Sequence, residues 1–321
     1  MRAVWLREWG GPEVLVAGQA PDPVAGPGQV VIAVAFANIT FVETQFRSGG
    51  GPVRADPPAL PMIPGNGVGG VVASVGPDVD SGLIGRRVIA SAGGRGGYAE
   101  QVAVDAAALF EVPDAVALDE AVALLADGRT ASWLVDAVAV QPGERVLVEA
   151  AAGGVGTLLV QLASAAGARV VAAAGGPAKV EVASRLGAET AVDYLASDWV
   201  EQVRAAAGGL DVVFDGVGGD LGRAAFELLG DGGRMLSYGF ASGEWAGISE
   251  EAAAERGVRL VKGVASPEAM RHFTEQALAA AEAGRLRPVI GQRFALADAA
   301  AAHAAIESRA TVGKTLLEVR R

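Results

Sequence analysis

The chain has no cysteine, so neither a disulfide framework nor a thiolate metal site can be built from it. It has only two histidines, His272 and His303, both in helical segments, where a lone histidine more often serves structure than a metal. Long apolar runs are also missing. The longest, such as Leu158 to Ala168, are short and carry Gln161 and Ser164, well below the ~20 residues of a membrane span. Basic residues are scattered, and 26 Lys and Arg against 37 Asp and Glu leave a net charge of −11. That charge repels phosphate backbones and anionic headgroups, so neither nucleic acid nor a membrane surface is an expected partner. Where a signal peptide needs an apolar core, Met1 to Val14 carries Arg2, Arg7, Glu8 and Glu13, and a cytoplasmic location is expected. There is no G-x-S-x-G elbow, no usefully spaced carboxylate pair and no Ser–His arrangement, which leaves hydrolytic chemistry without support.

What is present belongs to a folded, two-domain chain. A length of 321 residues exceeds what one hydrophobic core usually serves, and 51% hydrophobic with 20% charged residues is ordinary globular composition. Up to about Pro113 the pattern is short β-rich runs punctuated by Gly and Pro: Val30–Ala37, Gly70–Val75, Arg87–Ala90, Tyr98–Val104 and Ala108–Val112. From about Leu118 the period turns helical, over Leu118–Leu125 and Ala131–Val138, and strands then alternate with helices. The strands are Arg145–Glu149, Arg169–Ala174, Thr190–Asp193, Asp211–Phe214, Arg234–Tyr238 and Val258–Lys262, and the first four crossovers between them are helical. That rhythm predicts a parallel, doubly wound sheet, because a parallel crossover needs a helix to return the chain. The closing elements break it: a helix capped at Ser266, a strand Val289–Phe294, a helix capped at Asp298 and a strand Thr315–Val319, all expected to return to the first domain.

Ala150-Ala151-Ala152-Gly153-Gly154-Val155-Gly156 stands between a strand and a helix with the A-x-G-x-x-G spacing of a dinucleotide fingerprint. Small residues there let the backbone turn tightly and approach a pyrophosphate, and the helix start offers free N–H groups. Ala151, Gly153, Gly154, Val155 and Gly156 are therefore candidate cofactor contacts. An NAD-preferring site usually ends the next strand on a carboxylate for the ribose hydroxyls. Here that place is Ala174, no carboxylate lies between Val170 and Val180, and Lys179 opens the next helix, which favours NADPH.

Further motifs run in order along nearly the whole chain: Gly10-Gly11-Pro12-Glu13-Val14-Leu15, Phe41-Val42-Glu43-Thr44 with Arg47-Ser48-Gly49, Pro64-Gly65, the fingerprint, Val212-Val213-Phe214-Asp215-Gly216-Val217-Gly218, and Glu307-Ser308-Arg309-Ala310-Thr311-Val312-Gly313-Lys314. In these the chain resembles the zinc-independent quinone oxidoreductases of the medium-chain dehydrogenase/reductase superfamily, the group that includes zeta-crystallin. The resemblance implies an α/β fold with a Rossmann-type doubly wound parallel sheet and a β-rich GroES-like catalytic domain. The catalytic domain would comprise residues 1–118 and 264–321, and the NADPH-binding domain residues 119–263. It implies that Lys179, Tyr194 and Arg309 bind the 2′-phosphate, that Thr130 lies beside the nicotinamide, and that Gly239 and Phe240 run along the cofactor. It also implies a homodimer joined through the sheet edge.

Zinc members of the superfamily carry Gly-His-Glu where this chain has Gly65-Asn66-Gly67, so the expectation is a site without metal. The family's Asn-x-x-Asp or Asn-x-x-Glu followed by Thr-Tyr reads Thr40-Phe41-Val42-Glu43-Thr44-Gln45 here. Thr40 replaces the Asn and Gln45 the Tyr, with Asn38 close by, making Thr40, Asn38 and Gln45 the candidate substrate-side residues. The expected reaction is hydride transfer from NADPH to a quinone or an α,β-unsaturated carbonyl. An enoyl-thioester reductase and a non-catalytic NADPH-binding sensor or structural protein are the alternatives.

Overall fold

The computed structural model describes residues 1–50, 58–263 and 265–319; the expected return point at residue 264 lies outside them. β1 (Arg2–Leu6) and β2 (Leu15–Gln19) pair antiparallel. Next come β3 (Gln29–Ile39), the short helix α1 (Phe41–Arg47), β4 (Gly67–Val75), β5 (Arg87–Ser91), β6 (Gln101–Asp105) and β7 (Leu109–Glu111). β3 is the hub of the larger sheet. One edge of it pairs with β4, and its first half pairs with β6 on the other edge, all antiparallel. Val30, Val31 and Ile32 are buried in succession, the mark of a strand covered on both faces. Val30, Ile32 and Val34 pack into a core with Val68, Val72 and Tyr98.

α2 (Leu118–Val138) is one continuous helix where the periodicity predicts two segments. Gly128 falls inside it and is buried, so packing outweighs a helix penalty of about 1 kcal/mol for glycine. Its first turns, with Ala121, Val122 and Leu125, cover Ile89 and Phe36 on the second face of the sheet.

The chain then alternates strictly: β8 (Arg145–Val148), α3 (Gly154–Ala165), β9 (Arg169–Ala174), α4 (Pro177–Ser184), β10 (Thr190–Asp193), α5 (Trp199–Ala207), β11 (Leu210–Asp215), α6 (Gly219–Phe226), β12 (Leu229–Ser237), α7 (Glu250–Glu255) and β13 (Arg259–Leu260). All six strands are parallel, in the order β10-β9-β8-β11-β12-β13. Counted from β8, this is the 3-2-1-4-5-6 order of dinucleotide-binding sheets, which reverses direction between β8 and β11.

The closing elements are α8 (Pro267–Glu282), β14 (Ile290–Ala295), α9 (Ala299–Glu307) and β15 (Lys314–Glu318). β15 pairs antiparallel with the second half of β3, Thr315 opposite Ile39, and β14 lies parallel to β15, whereas α8 up to Ala277 falls with the preceding unit rather than with the first sheet. Ser266 caps α8 by accepting from Ala269 N at 3.2 Å. Asp298 holds the N-cap position of α9, but its side chain makes no capping bond. The chain divides into two compact units, Met1–Ala126 with Leu278–Arg321, and Asp127–Ala277. Among the described residues no helix is long and apolar enough to cross a membrane.

Candidate functional site

In the second unit, strand β8 is buried through Val148 and delivers the chain to the fingerprint turn. Ala150 takes a left-handed backbone, φ +48°, and Gly153 N donates to Ala150 O at 2.8 Å. Gly153 is the N-cap of α3, whose first N–H groups have no intrahelical acceptor. A Cβ on Gly156 would stand 2.2 Å from Ala150 O and 2.9 Å from Ala151 Cα, so only glycine lets the helix lie this close to the turn. Ala151 is fully buried and its N–H bonds to Ala173 O, while Gly154 and Val155 form the first turn of α3.

The turn after β9 is Gly175-Gly176, with Gly176 at φ +90°. The Tyr194 ring lies against it, since a Cβ on Gly175 would be 2.9 Å from that ring. Lys179 is the third residue of α4, which Gly176 heads. Lys179 and Tyr194 thus flank the same turn. Asp193 lies against it too, but its Oδ1 accepts from Gly176 N at 2.8 Å and Leu195 N at 2.9 Å. Thr130 sits half-buried on α2. Gly239 follows β12, where a Cβ would meet Gly216 O at 2.8 Å, and the Phe240 ring packs on Trp245 with centroids 4.8 Å apart.

Sequence reasoning missed a polar cluster at the ends of β8, β11 and β12. Asp215 is fully buried; its Oδ1 accepts from Val217 N (3.0 Å) and Gly218 N (2.7 Å), and its Oδ2 from Ser237 Oγ (2.7 Å). Glu149, 1% exposed, sits just before the fingerprint, and burial followed by the neighbouring Asp215 pushes its carboxyl well above the usual range. Tyr238 is half-buried; its hydroxyl donates to Glu149 O at 3.4 Å, and the burial of that hydroxyl, then Asp215 and Glu149, raise its pKa. The signal was one acid ending an otherwise apolar strand.

In the first unit, Thr40 heads α1, and its N–H (2.7 Å) and Oγ1 (2.9 Å) both donate to Glu43 Oε2. The T-x-x-E spacing of a capping box was the available sign of that helix. Glu43 Oε1 accepts from Asn66 N at 3.0 Å, and burial raises the Glu43 carboxyl against these bonds and the nearby Lys314. Asn66 Oδ1 accepts from Ser91 Oγ (2.8 Å) and Gly94 N (3.0 Å). Asn38 is buried, and its Nδ2 donates to Val122 O at 3.3 Å. A Cβ on Gly67 would fall 2.3 Å from Asn38 Nδ2, so Asn38 fills the space a side chain at 67 needs. Gln45, on α1, buries an Oε1 that has no hydrogen-bond partner. Arg309 stands at φ +59° with its guanidinium 4.2 Å from the Phe41 ring centre, stacked on α1. Among the described residues no three His, Cys, Asp or Glu side chains are grouped to hold a metal ion.

The two histidines behave differently. His272 lies exposed on α8, whereas His303 on α9 is buried with its Nε2 2.9 Å from the Tyr98 hydroxyl. Burial, then the charge of Arg47, lowers the His303 pKa to about 3. An unfolded histidine binds a proton near pH 6.5, so the folded state loses stability as the pH falls below 6.5, by up to about 1.4 kcal/mol per unit until about 3. His303→Gln is expected to remove that part of the acid slope, read from urea midpoints between pH 7 and pH 4.5. Equal slopes in both proteins would show that His303 is charged in the folded state.

Comparison with known proteins meets this geometry. Residues 26–114 match the alcohol dehydrogenase GroES-like domain family, and residues 186–317 match the zinc-binding dehydrogenase family. A quinone oxidoreductase of Pseudomonas aeruginosa is 31% identical over 98% of this chain and 99% of its own length. A 2-haloacrylate reductase of a Burkholderia species is also 31% identical, over 98% of each chain. The crystal structure of Escherichia coli quinone oxidoreductase complexed with NADPH superposes with a TM-score of 0.90 at 28% identity, covering 99% of this chain and 100% of that one. With both domain families matched in order and full-length relatives on either side, the chain belongs to the zinc-independent quinone oxidoreductase group of the medium-chain dehydrogenase/reductase superfamily.

Proposed function

We propose that this protein is an NADPH-dependent, zinc-independent oxidoreductase of the cytoplasm that reduces a quinone or an activated alkene. The unit formed by Asp127–Ala277 binds the nucleotide, and the other unit supplies the catalytic side chains. The observation that carries this reading is the turn after β9. Lys179 and Tyr194 flank it, and Asp193 is taken up by two backbone N–H groups, so a phosphate suits the place better than a bare ribose hydroxyl. The fingerprint fits the rest of the nucleotide: Gly153 and Gly156 leave backbone and free N–H groups open to a pyrophosphate. Relatives named for quinone and 2-haloacrylate reduction, and one solved with NADPH, support the same reading.

NADPH, when bound, supplies the hydride. The chain's own residues orient the partners and handle the proton. Thr40 is the candidate donor to the developing quinol or enolate oxygen: its hydroxyl is bonded to Glu43, whose affinity for a proton burial raises, and a protonated Glu43 would donate to Thr40 Oγ1 and so replace the proton that Thr40 gives up. Asn38 and Gln45 are assigned to the substrate side of the same β3–α1 corner. Asn66 and Gly67 stand where zinc relatives have ligands, and neither is a residue that ligates zinc in such sites.

The test is NADPH oxidation across a panel of quinones and enones, with and without a chelator. Turnover of at least one substrate, indifferent to the chelator, is expected. Tight NADPH binding without turnover on the whole panel would overturn the enzyme reading, and activity lost to the chelator and restored by zinc would overturn its independence of metal. Gln45→Tyr is expected to reorder the relative rates across the panel while NADPH affinity stays the same; unchanged ratios would remove Gln45 from the site. A homodimer joined through the sheet edge is part of the proposal; among the described residues β13, with β12 beside it, and β10, with β9 beside it, are the two edges of the parallel sheet. A monomeric mass in sedimentation would argue against it.

A further inference from the structure

The buried acids at the switch point do something the fingerprint alone does not explain. Glu149 and Asp215 end neighbouring parallel strands, at 1% and 0% exposure, with their side chains in hydrogen-bonding reach of each other. Two carboxyl groups sharing a buried site cannot both be ionised. Asp215 already accepts from three donors, Val217 N, Gly218 N and Ser237 Oγ, and acceptance on both oxygens is what a carboxylate does. Neither Glu149 oxygen finds a donor or acceptor in the heavy-atom geometry unless one of them carries a proton. The proton of the pair therefore belongs on Glu149.

Its position gives that proton a task. Asp215 pins the Gly216–Gly218 turn that leads into α6, and Glu149 leads directly into the left-handed Ala150 of the fingerprint. The backbone of Glu149 is tied to the same strand ends, through its N–H to Phe214 O and its carbonyl to the Tyr238 hydroxyl. We propose that Glu149 is a positioning residue for nucleotide binding, its protonated carboxyl donating to Asp215 and so clamping the two βα turns on either side of the switch point into one rigid platform. This rests on the reading of the second unit as the NADPH-binding unit.

Ionising Glu149 puts a second negative charge against Asp215 and opens the clamp. The titratable groups around it are acids and phenols: Tyr238 just after β12 faces Glu149, and Tyr194 and Asp127 face Tyr238, while the Val217 N–H alone favours the charged form and is outweighed by burial and Asp215. The sign follows. Glu149 is held neutral in the folded state and ionises more easily in the unfolded chain, so its contribution is full in acid and is lost as the pH rises towards its folded value. NADPH affinity should fall along with it, by up to about tenfold per pH unit once Glu149 ionises in the folded protein.

The experiment titrates NADPH into the full-length protein and its Glu149→Gln variant from pH 7 to pH 10, with infrared difference spectra of both proteins free of nucleotide. Glutamine keeps a donor towards Asp215 and cannot ionise. The expected result is that Glu149→Gln binds NADPH at pH 7, lacks the alkaline decline of the wild type, and lacks a protonated-carboxyl C=O stretch that the wild type shows. Should the variant fail to fold, the wild-type band alone decides: it must disappear over the same pH range as the affinity. The same alkaline decline in both proteins, or no protonated-carboxyl band in the wild type, would overturn the proposal and leave the cofactor assignment standing. No NADPH binding by the wild type at pH 7 would overturn both.

Discussion

Lys179→Ala and Arg309→Ala are each expected to weaken NADPH binding by about tenfold to a hundredfold while NADH binding hardly moves. A charge-assisted hydrogen bond to a phosphate contributes about 1.5–3 kcal/mol, and the solvent around the half-buried Lys179 and the exposed Arg309 trims that. About 1.4 kcal/mol is a factor of ten, which sets the range. NADH lacks the 2′-phosphate and so escapes the loss. The salt dependence of NADPH binding should also weaken in each variant. Lys179 stands beside Tyr194 at the Gly175-Gly176 turn of the second unit, and Arg309 of the first unit stacks on Phe41. Fluorescence titrations with both nucleotides make the check. Equal losses for NADH and NADPH would mean that these residues hold structure, and that the cofactor preference rests on Ala174.

Gly156→Val is expected to lose both nucleotides alike. The first side-chain atom at 156 would overlap Ala150 O, Ala150 C and Ala151 Cα, at 2.2, 2.8 and 2.9 Å, and all three are backbone. No rotamer can relieve a clash with backbone, so α3 must lift from β8 or the Ala150 turn must open. Overpacking of this kind costs about 1–3 kcal/mol of stability. A binding turn displaced by about an ångström loses about a hundredfold in function. Gly153→Ala is the milder control, because its Cβ would sit 3.2 Å from Ala150 O. Wild-type NADPH affinity in folded Gly156→Val would show that close approach of α3 to the turn is not what the nucleotide needs.

The second unit was the more legible one. Its strands run in apolar blocks between helices of regular length, and the predicted Arg169–Ala174 and Thr190–Asp193 match the observed strands end to end. Burial on both faces imposes that composition, so it survives in the sequence. β1 and β2 went unseen because Arg2–Leu6 and Leu15–Gln19 mix exposed and buried positions, and β1 is held also by bridges from Ala3 to Ala99 and from Leu6 to Met62, far along the chain. β12 begins five residues before the predicted Arg234, since Gly230, Gly232 and Gly233 read as a turn whereas the neighbouring β11 carries the strand through them with a shifted register. At the candidate site, the tight turn between β8 and α3 could be read locally from the A-x-G-x-x-G spacing. Asn38 could not: its burial follows from the missing side chain of Gly67, a partner on another strand. The Glu149–Asp215 pair lies between strands adjacent in space and distant in sequence, so only the sheet order brings it together.

The return of β15 to β3 has a consequence for how the protein is made. Phe36–Ile39 of β3 pairs with Thr315–Glu318, which are synthesised only after the whole of the second unit. Of the two units the first begun is therefore completed after the other, while every strand of the second comes from one unbroken segment and can pair as it emerges. Throughout that interval half of one edge of β3 stays without a partner, an apolar strand open to any other chain that offers one. Domains generally assemble as units during synthesis, and a unit whose two segments flank another must wait for the second of them. The hazard of misassociation in this protein is thus set by the time the ribosome takes to translate the nucleotide-binding segment, and slow translation there, or truncation before Lys314, leaves the hub strand exposed.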